Sequence, residues 1–112
     1  IGDFQIARAG WIGDYIDPKS FLDMMVTGRG NNQTGWSNES FDELLSAAAN
    51  STSQNQRFEN FYEAEKILID EMPIIPIYTY TRIYMLHEDV KGWGNNLLDS
   101  RPYQFVYLEK KE

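Results

Sequence analysis

The sequence contains no cysteine. That excludes a disulfide framework, a thiolate zinc site and a thiol nucleophile, and leaves the redox compartment open. Histidine is almost as scarce: His87 is the single one, in an extended run beside Glu88 and Asp89. Without cysteine or a second histidine, a nucleophile–base–orienter set has few candidates. Two of the acids could form a glycosidase pair, with Asp14 as one member, but sequence does not place carboxylates at the required separation. No His/Asp/Glu group has EF-hand or zincin spacing, so neither a metal nor another cofactor is expected. Basic residues are outnumbered, 10 Lys and Arg against 17 Asp and Glu, for a net charge of −7. With no basic stripe, nucleic acid and anionic membranes are not expected partners. No apolar run approaches the ~20 residues that span a bilayer.

What is present suits a folded domain. Hydrophobic residues make up 42% and aromatics 14% of the chain, too apolar a mixture for a disordered tail. A chain of 112 residues can bury somewhat over ~60% of its unfolded surface, enough for one modest core.

Patterning predicts a strand, three helices, then further strands. Phe4 and Ile6 alternate on one face of a strand over Ile1 to Ala9. Pro18 to Val26 reads as a short helix with an apolar stripe of Phe21, Leu22, Met25 and Val26. Thr27 to Trp36 is a Gly/Asn loop. A second helix starts near Asn38 or Ser40, the latter forming a capping box with Glu43, and buries Phe41, Leu44, Leu45 and Ala48. Ser53 and Gln56 form another box for a longer helix to about Glu71. Its inner side is expected to carry Phe58, Phe61, Tyr62, Glu65, Leu68, Ile69 and Met72, with Glu65 either at the stripe edge reaching solvent or paired with a cation. Pro73 ends that helix. Ile74 to Tyr80, Ile83 to Leu86 and Tyr103 to Leu108 are β-forming runs, with a turn at Gly92-Trp93-Gly94-Asn95-Asn96 and a solvated tail from Glu109.

The chain is arranged around Arg8-Ala9-Gly10-Trp11-Ile12-Gly13-Asp14-Tyr15-Ile16-Asp17-Pro18. A compact turn here carries a cation, two aromatics and two acids, and Asp17 can cap the following helix with Pro18 at its first position. Gly10 and Gly13 permit unusual backbone angles or close approach of a ligand. Asp14 has two readings. It bonds its own turn backbone, as Asp commonly does, or it lies at a strand end where open sheets hold ligands.

Ala7-Arg8-Ala9-Gly10-Trp11, Asp14-Tyr15 and Asp17-Pro18-Lys19-Ser20-Phe21-Leu22 resemble the carboxyl-terminal part of the oligopeptide-binding proteins. These are the solute-binding lipoproteins of peptide-importing ABC transporters. Asn31-Asn32, Ala64-Glu65 and Pro73-Ile74-Ile75-Pro76-Ile77-Tyr78-Thr79-Tyr80 follow in the same order and register, so the resemblance covers nearly the whole chain. It implies an α/β chain forming part of a two-lobed, periplasmic-binding-protein-like fold. Residues 1–81 would belong to the second ligand-binding lobe, and residues 82–112 would return to the first, crossing near Thr81-Arg82. The resembled proteins are several times longer and this chain begins at Ile1, so a fragment is expected.

The resemblance also implies an oligopeptide ligand, membrane permease subunits and the rest of a longer chain as partners, and an extracytoplasmic place: the periplasm, or the outer face of the cell membrane as a lipoprotein. Asp14 matches the anchor for the peptide's amino terminus, an ammonium that needs a carboxylate when it is desolvated. Trp11 and Tyr15 would wall the first side-chain pocket and Ile12 would line it. Arg8 matches a basic residue of the cavity, Asn31 and Asn32 a pair near the pocket, and Tyr80 a tyrosine near the hinge, with Tyr78 on its face. Ile12 is bulkier and more apolar than its counterparts can be, which implies a shifted side-chain preference. The competing reading is a self-contained acidic protein-interaction module without a transport role.

Overall fold

A computed structural model describes residues 3–94, 98 and 100–110. The chain divides into two compact units, Ile1–Pro76 and Ile77–Glu112. The first is helical. It comprises α1 (Lys19–Leu22) running into a 3-10 turn (Asp23–Met25), α2 (Glu39–Asn50) and α3 (Gln54–Glu71).

Each helix starts where a side chain satisfies a free backbone N–H. Lys19 N donates to Asp17 Oδ1 at 2.9 Å, and Pro18 has helical angles, so Asp17 caps α1 as its spacing predicts. At α2 the two sequence options are resolved. Asn38 is extended at φ −148°, and its Oδ1 accepts from Phe41 N at 3.0 Å, leaving Ser40 inside the helix. Ser53 caps α3, accepting from Gln56 N. Met72 closes α3 in the left-handed region at φ 51°, immediately before Pro73, which cannot continue a helix.

The core joins Leu22 and Met25 to Phe41, Leu45 and Ala48 of α2 and to Phe61, Ala64 and Leu68 of α3. Phe41, Ala48 and Ala64 are wholly buried. The two alanines let the helices approach closely; the phenylalanine fills the space beside them. Trp36 packs edge-on against Phe41, with ring centroids 5.1 Å apart, and its indole Nε1 donates to Glu71 Oε2 at 2.7 Å. Asn38 Nδ2 donates to the other oxygen of Glu71, tying the end of α3 to the start of α2.

The expected inner side of α3 is corrected. Phe61, Ala64 and Leu68 face the core, while Phe58, Tyr62, Ile69 and Met72 are exposed. The helix carries apolar residues on two sides, and α2 covers one of them. Glu65 lies on the uncovered side and is exposed, the first of its two readings. In the α1 region Leu22 and Met25 are buried, but Phe21 is half exposed.

Three predicted strands are not formed. Residues 4–9 are irregular, with Ile6 91% exposed, and residues 74–80 and 83–86 form no ladder. Strand propensity stabilises a chain only through a neighbouring strand, and no strand ladder among the described residues includes these runs. In the second unit Val90–Lys91 (β1) pairs antiparallel with Tyr107–Leu108 (β2), Val90 opposite Leu108 and Lys91 opposite Tyr107. The predicted 103–108 strand is therefore two residues long, preceded by a 3-10 turn at Tyr103–Phe105. Arg101 lies over the rings of Tyr84 and Trp93, 5.0 and 4.9 Å from their centroids. Asn95 and Asn96 of the predicted turn, and the last two residues of the tail, lie outside the described residues.

Candidate ligand-binding site

The loop from Trp11 to Asp17 has no regular structure, so its geometry rests on bonds to its neighbours. Trp11 Nε1 donates to Ser20 O at 2.8 Å. Asp14 N donates to Ser20 Oγ at 2.7 Å. Asp17 Oδ1 accepts from Arg57 Nη2 of α3 at 2.8 Å as well as from Lys19 N. The guanidinium beside Asp17 holds its carboxyl below the usual aspartate range, against the opposing effect of burial. Gly13 has the space of a hydrogen and little more. A Cβ there would come within 3.0 Å of the Phe21 ring and 3.3 Å of Ser20 Oγ. The glycine thus serves close packing of the loop on α1.

Folded this way, the loop borders an open hollow of about 230 Å³, lined by Trp11, Asp14, Tyr15, Ser20, Asp23, Met24, Arg29 and Asn31. Of the sequence-predicted residues, Trp11, Asp14, Tyr15 and Asn31 come together here. Trp11 is half-buried; Asp14 and Asn31 are exposed, and Tyr15 is 45% exposed. Among the described residues no cation pairs with the Asp14 carboxylate; the backbone N–H of Asp14 donates to Ser20 Oγ. Asp23 differs: Lys19 Nζ bonds it, and Arg29 Nη1 lies 3.6 Å from the same oxygen. The hollow therefore has one committed acid and one uncommitted acid.

The other predicted residues are placed differently. Ile12 is 66% exposed and does not line the hollow. Asn32 is turned into its loop, donating to Met25 O at 3.0 Å and Trp36 O at 2.8 Å and accepting from Thr34 Oγ1 at 2.8 Å. Its amide is thus engaged in shaping the turn. Arg8 is exposed and lies outside the hollow's lining. Tyr80 belongs to the second unit, where its ring meets Tyr78 at 4.8 Å in an edge contact. Sequence reading missed Ser20, Asp23, Met24 and Arg29. Ser20 falls within the short helix read from Pro18 to Val26, and no periodicity signals that its hydroxyl is turned back toward a preceding loop.

No protein-family model matches the chain. The oligopeptide-binding protein OppA of Bacillus subtilis (strain 168) is 45% identical over 91 residues, 80% of this chain and 17% of that protein. The dipeptide-binding protein DppE of the same organism is 42% identical over 89 residues, 80% of this chain and 16% of that protein. The chain is a relative of the peptide-binding proteins. It spans about a fifth or less of the length of these relatives. Among solved structures, the pheromone receptor PrgZ superposes with a TM-score of 0.76 at 30% identity, covering 97% of this chain and 21% of that one. The unliganded open form of the murein tripeptide-binding protein MppA gives 0.71 at 31% identity, over 88% of this chain and 19% of that one. The fold is accordingly that of a part of a peptide-binding protein, α/β in class. The kinship is to binding proteins rather than to enzymes.

Proposed function

We propose that this chain is the carboxyl-terminal part of the peptide-binding component of a bacterial oligopeptide ABC importer, and that it supplies one wall of the ligand cavity. The observation that carries this is the uncommitted Asp14 carboxylate on the rim of a hollow walled by Trp11 and Tyr15. An ammonium leaving water needs such a partner, and a free peptide amino terminus is an ammonium. Trp11 and Tyr15 bring large apolar area with few rotors to the first side chain. The peptide backbone pairs with protein backbone, which gives affinity without reading sequence.

In this reading residues 1–81 belong to one lobe and residues 82–112 to the other, with Tyr80 near the hinge. The protein works extracytoplasmically as an anchored lipoprotein and hands its peptide to membrane permease subunits. Closure over the ligand is driven by contacts that the closed state alone makes. The kinship to OppA and DppE supports this over a free-standing interaction module.

The test is calorimetric titration of the full-length parent with short peptides in free-amine and amino-acetylated forms, before and after Asp14→Ala. Removing one partner of a desolvated charge pair costs about 2–5 kcal/mol, so free-amine peptides should weaken by roughly 30-fold or more. Acetylated peptides should change little. Equal weakening of both would make Asp14 a turn residue and end this assignment.

A further inference from the structure

We infer that Ser20 is the positioning residue of this site, holding both Trp11 and Asp14 in register with the hollow; the inference rests on the peptide-binding reading given above. Ser20 is the one buried polar residue among the described residues, 4% exposed. Its two oxygens serve two different residues of the loop. The hydroxyl accepts from the Asp14 N–H at 2.7 Å, and the carbonyl accepts from the Trp11 indole N–H at 2.8 Å. Between these two bolts sits Gly13, pressed so closely on Ser20 and Phe21 that a methyl group would not fit without movement.

Ser20 is itself held from behind. Its N–H donates to Asp17 O at 3.0 Å, and Asp17 is bonded to Arg57 of α3. A continuous set of bonds therefore runs from α3 through Asp17 and Ser20 to the Trp11 indole and to the backbone of Asp14 beside the hollow. A loop without regular structure costs about 1–2 kcal/mol per residue to order. A site that leaves this cost to the moment of binding loses affinity, and one ordered beforehand does not. The Asp14 carboxylate must point at a small cation, so it suffers most from a loose backbone. The hydroxyl acts on that backbone, through the Asp14 N–H.

Ser20→Ala removes the acceptor for Asp14 N and leaves the bond from Trp11, which uses a main-chain carbonyl. Ser20→Thr keeps an oxygen at the same place. The first readout is amide hydrogen exchange on the 112-residue chain. Exchange at Asp14 should quicken about tenfold in the alanine variant, as expected when a hydrogen bond is lost, with α2 and α3 unchanged. The second is calorimetry on the full-length parent with trialanine and amino-acetylated trialanine. Ser20→Ala should weaken the free-amine peptide about 3- to 10-fold and leave the acetylated one alone, while Ser20→Thr stays close to the parent. Unchanged Asp14 exchange, or equal weakening of both peptides, or a threonine variant as weak as alanine, would overturn the positioning role. Asp14→Ala, run alongside, separates the two claims. If it shifts the free-amine preference and Ser20→Ala does not, the positioning role falls and the amine site stands. If Asp14→Ala itself leaves that preference unmoved, the amine site falls as well.

Discussion

Arg57 of α3 donates to Asp17 Oδ1 at 2.8 Å, joining residues forty positions apart. Asp17 also caps α1, and Arg57 lies over the Phe61 ring, 4.7 Å from its centroid. One ion pair thus fastens the site loop to the helix that carries the core.

The pair makes a pH-dependent contribution whose sign follows from Asp17. Its carboxyl is held below the ordinary aspartate value of 3.8, chiefly by the Arg57 hydrogen bond. A depressed folded value means stability that is present above the unfolded value and lost as pH falls through the folded one. Asp17→Asn keeps an oxygen to cap α1 but removes the charge. Its melting temperature should lie below the parent's by a constant margin at neutral pH. That margin should close as pH falls below about 3.8, and thermal unfolding by circular dichroism across this range checks it.

Asn38 and Ser40 offer a test of which residue starts α2. Asn38→Ala removes the oxygen that Phe41 N uses and one bond to Glu71. It should cost about 1–2 kcal/mol, the upper part of the range for a lost N-cap. Ser40 lies exposed inside the helix, so Ser40→Ala should fall within about 0.5 kcal/mol of the parent. Urea unfolding distinguishes them; equal costs would return the cap to the Ser40 box.

The two sides of α3 should respond in opposite ways. Ala64 is wholly buried between the helices, so Ala64→Leu overfills the interface at about 1–3 kcal/mol. Phe41→Ala leaves a cavity in the same place and should cost about 3–5 kcal/mol. Tyr62→Ser changes a residue that is 58% exposed and should move the urea midpoint little. A large loss for Tyr62→Ser would mean that the outer side of α3 is packed in solution.

Gly92 governs the small sheet of the second unit. Its φ is +76°, and a Cβ on it would sit 1.9 Å from Phe105 O. Gly92→Ala therefore clashes with main chain as well as straining its own, at a cost above about 1 kcal/mol. Glu109 N, which donates to Asp89 O at 2.8 Å, should lose protection from hydrogen exchange, while the amides of α2 and α3 keep theirs. Unaltered protection at Glu109 would refute the close approach.

Local signals read correctly from sequence are those in which the cause is itself local. Asp17-Pro18 and Ser53 cap helices because a side-chain oxygen reaches a backbone N–H two or three residues on. Pro73 stops α3 for want of an N–H and through its ring. The spacing of Phe41, Leu45 and Ala48 marks a helix face whatever covers it. The ordered motifs from Ala7 to Tyr80 carry the likeness to the peptide-binding proteins.

Where two segments must meet, sequence left the answer open. α3 has two apolar sides, and the position of α2 selected Phe61, Ala64 and Leu68 over Phe58, Tyr62 and Ile69. Residues 74–80 and 83–86 favour strand but enter no ladder among the described residues, and strand, unlike helix, takes its hydrogen bonds from another segment. The site shows the same division. Trp11, Asp14 and Tyr15 are adjacent in the chain and were legible together. The bonds of Ser20 to that loop, and the reach of Arg57 back to Asp17, came from packing α1 and α3 against it.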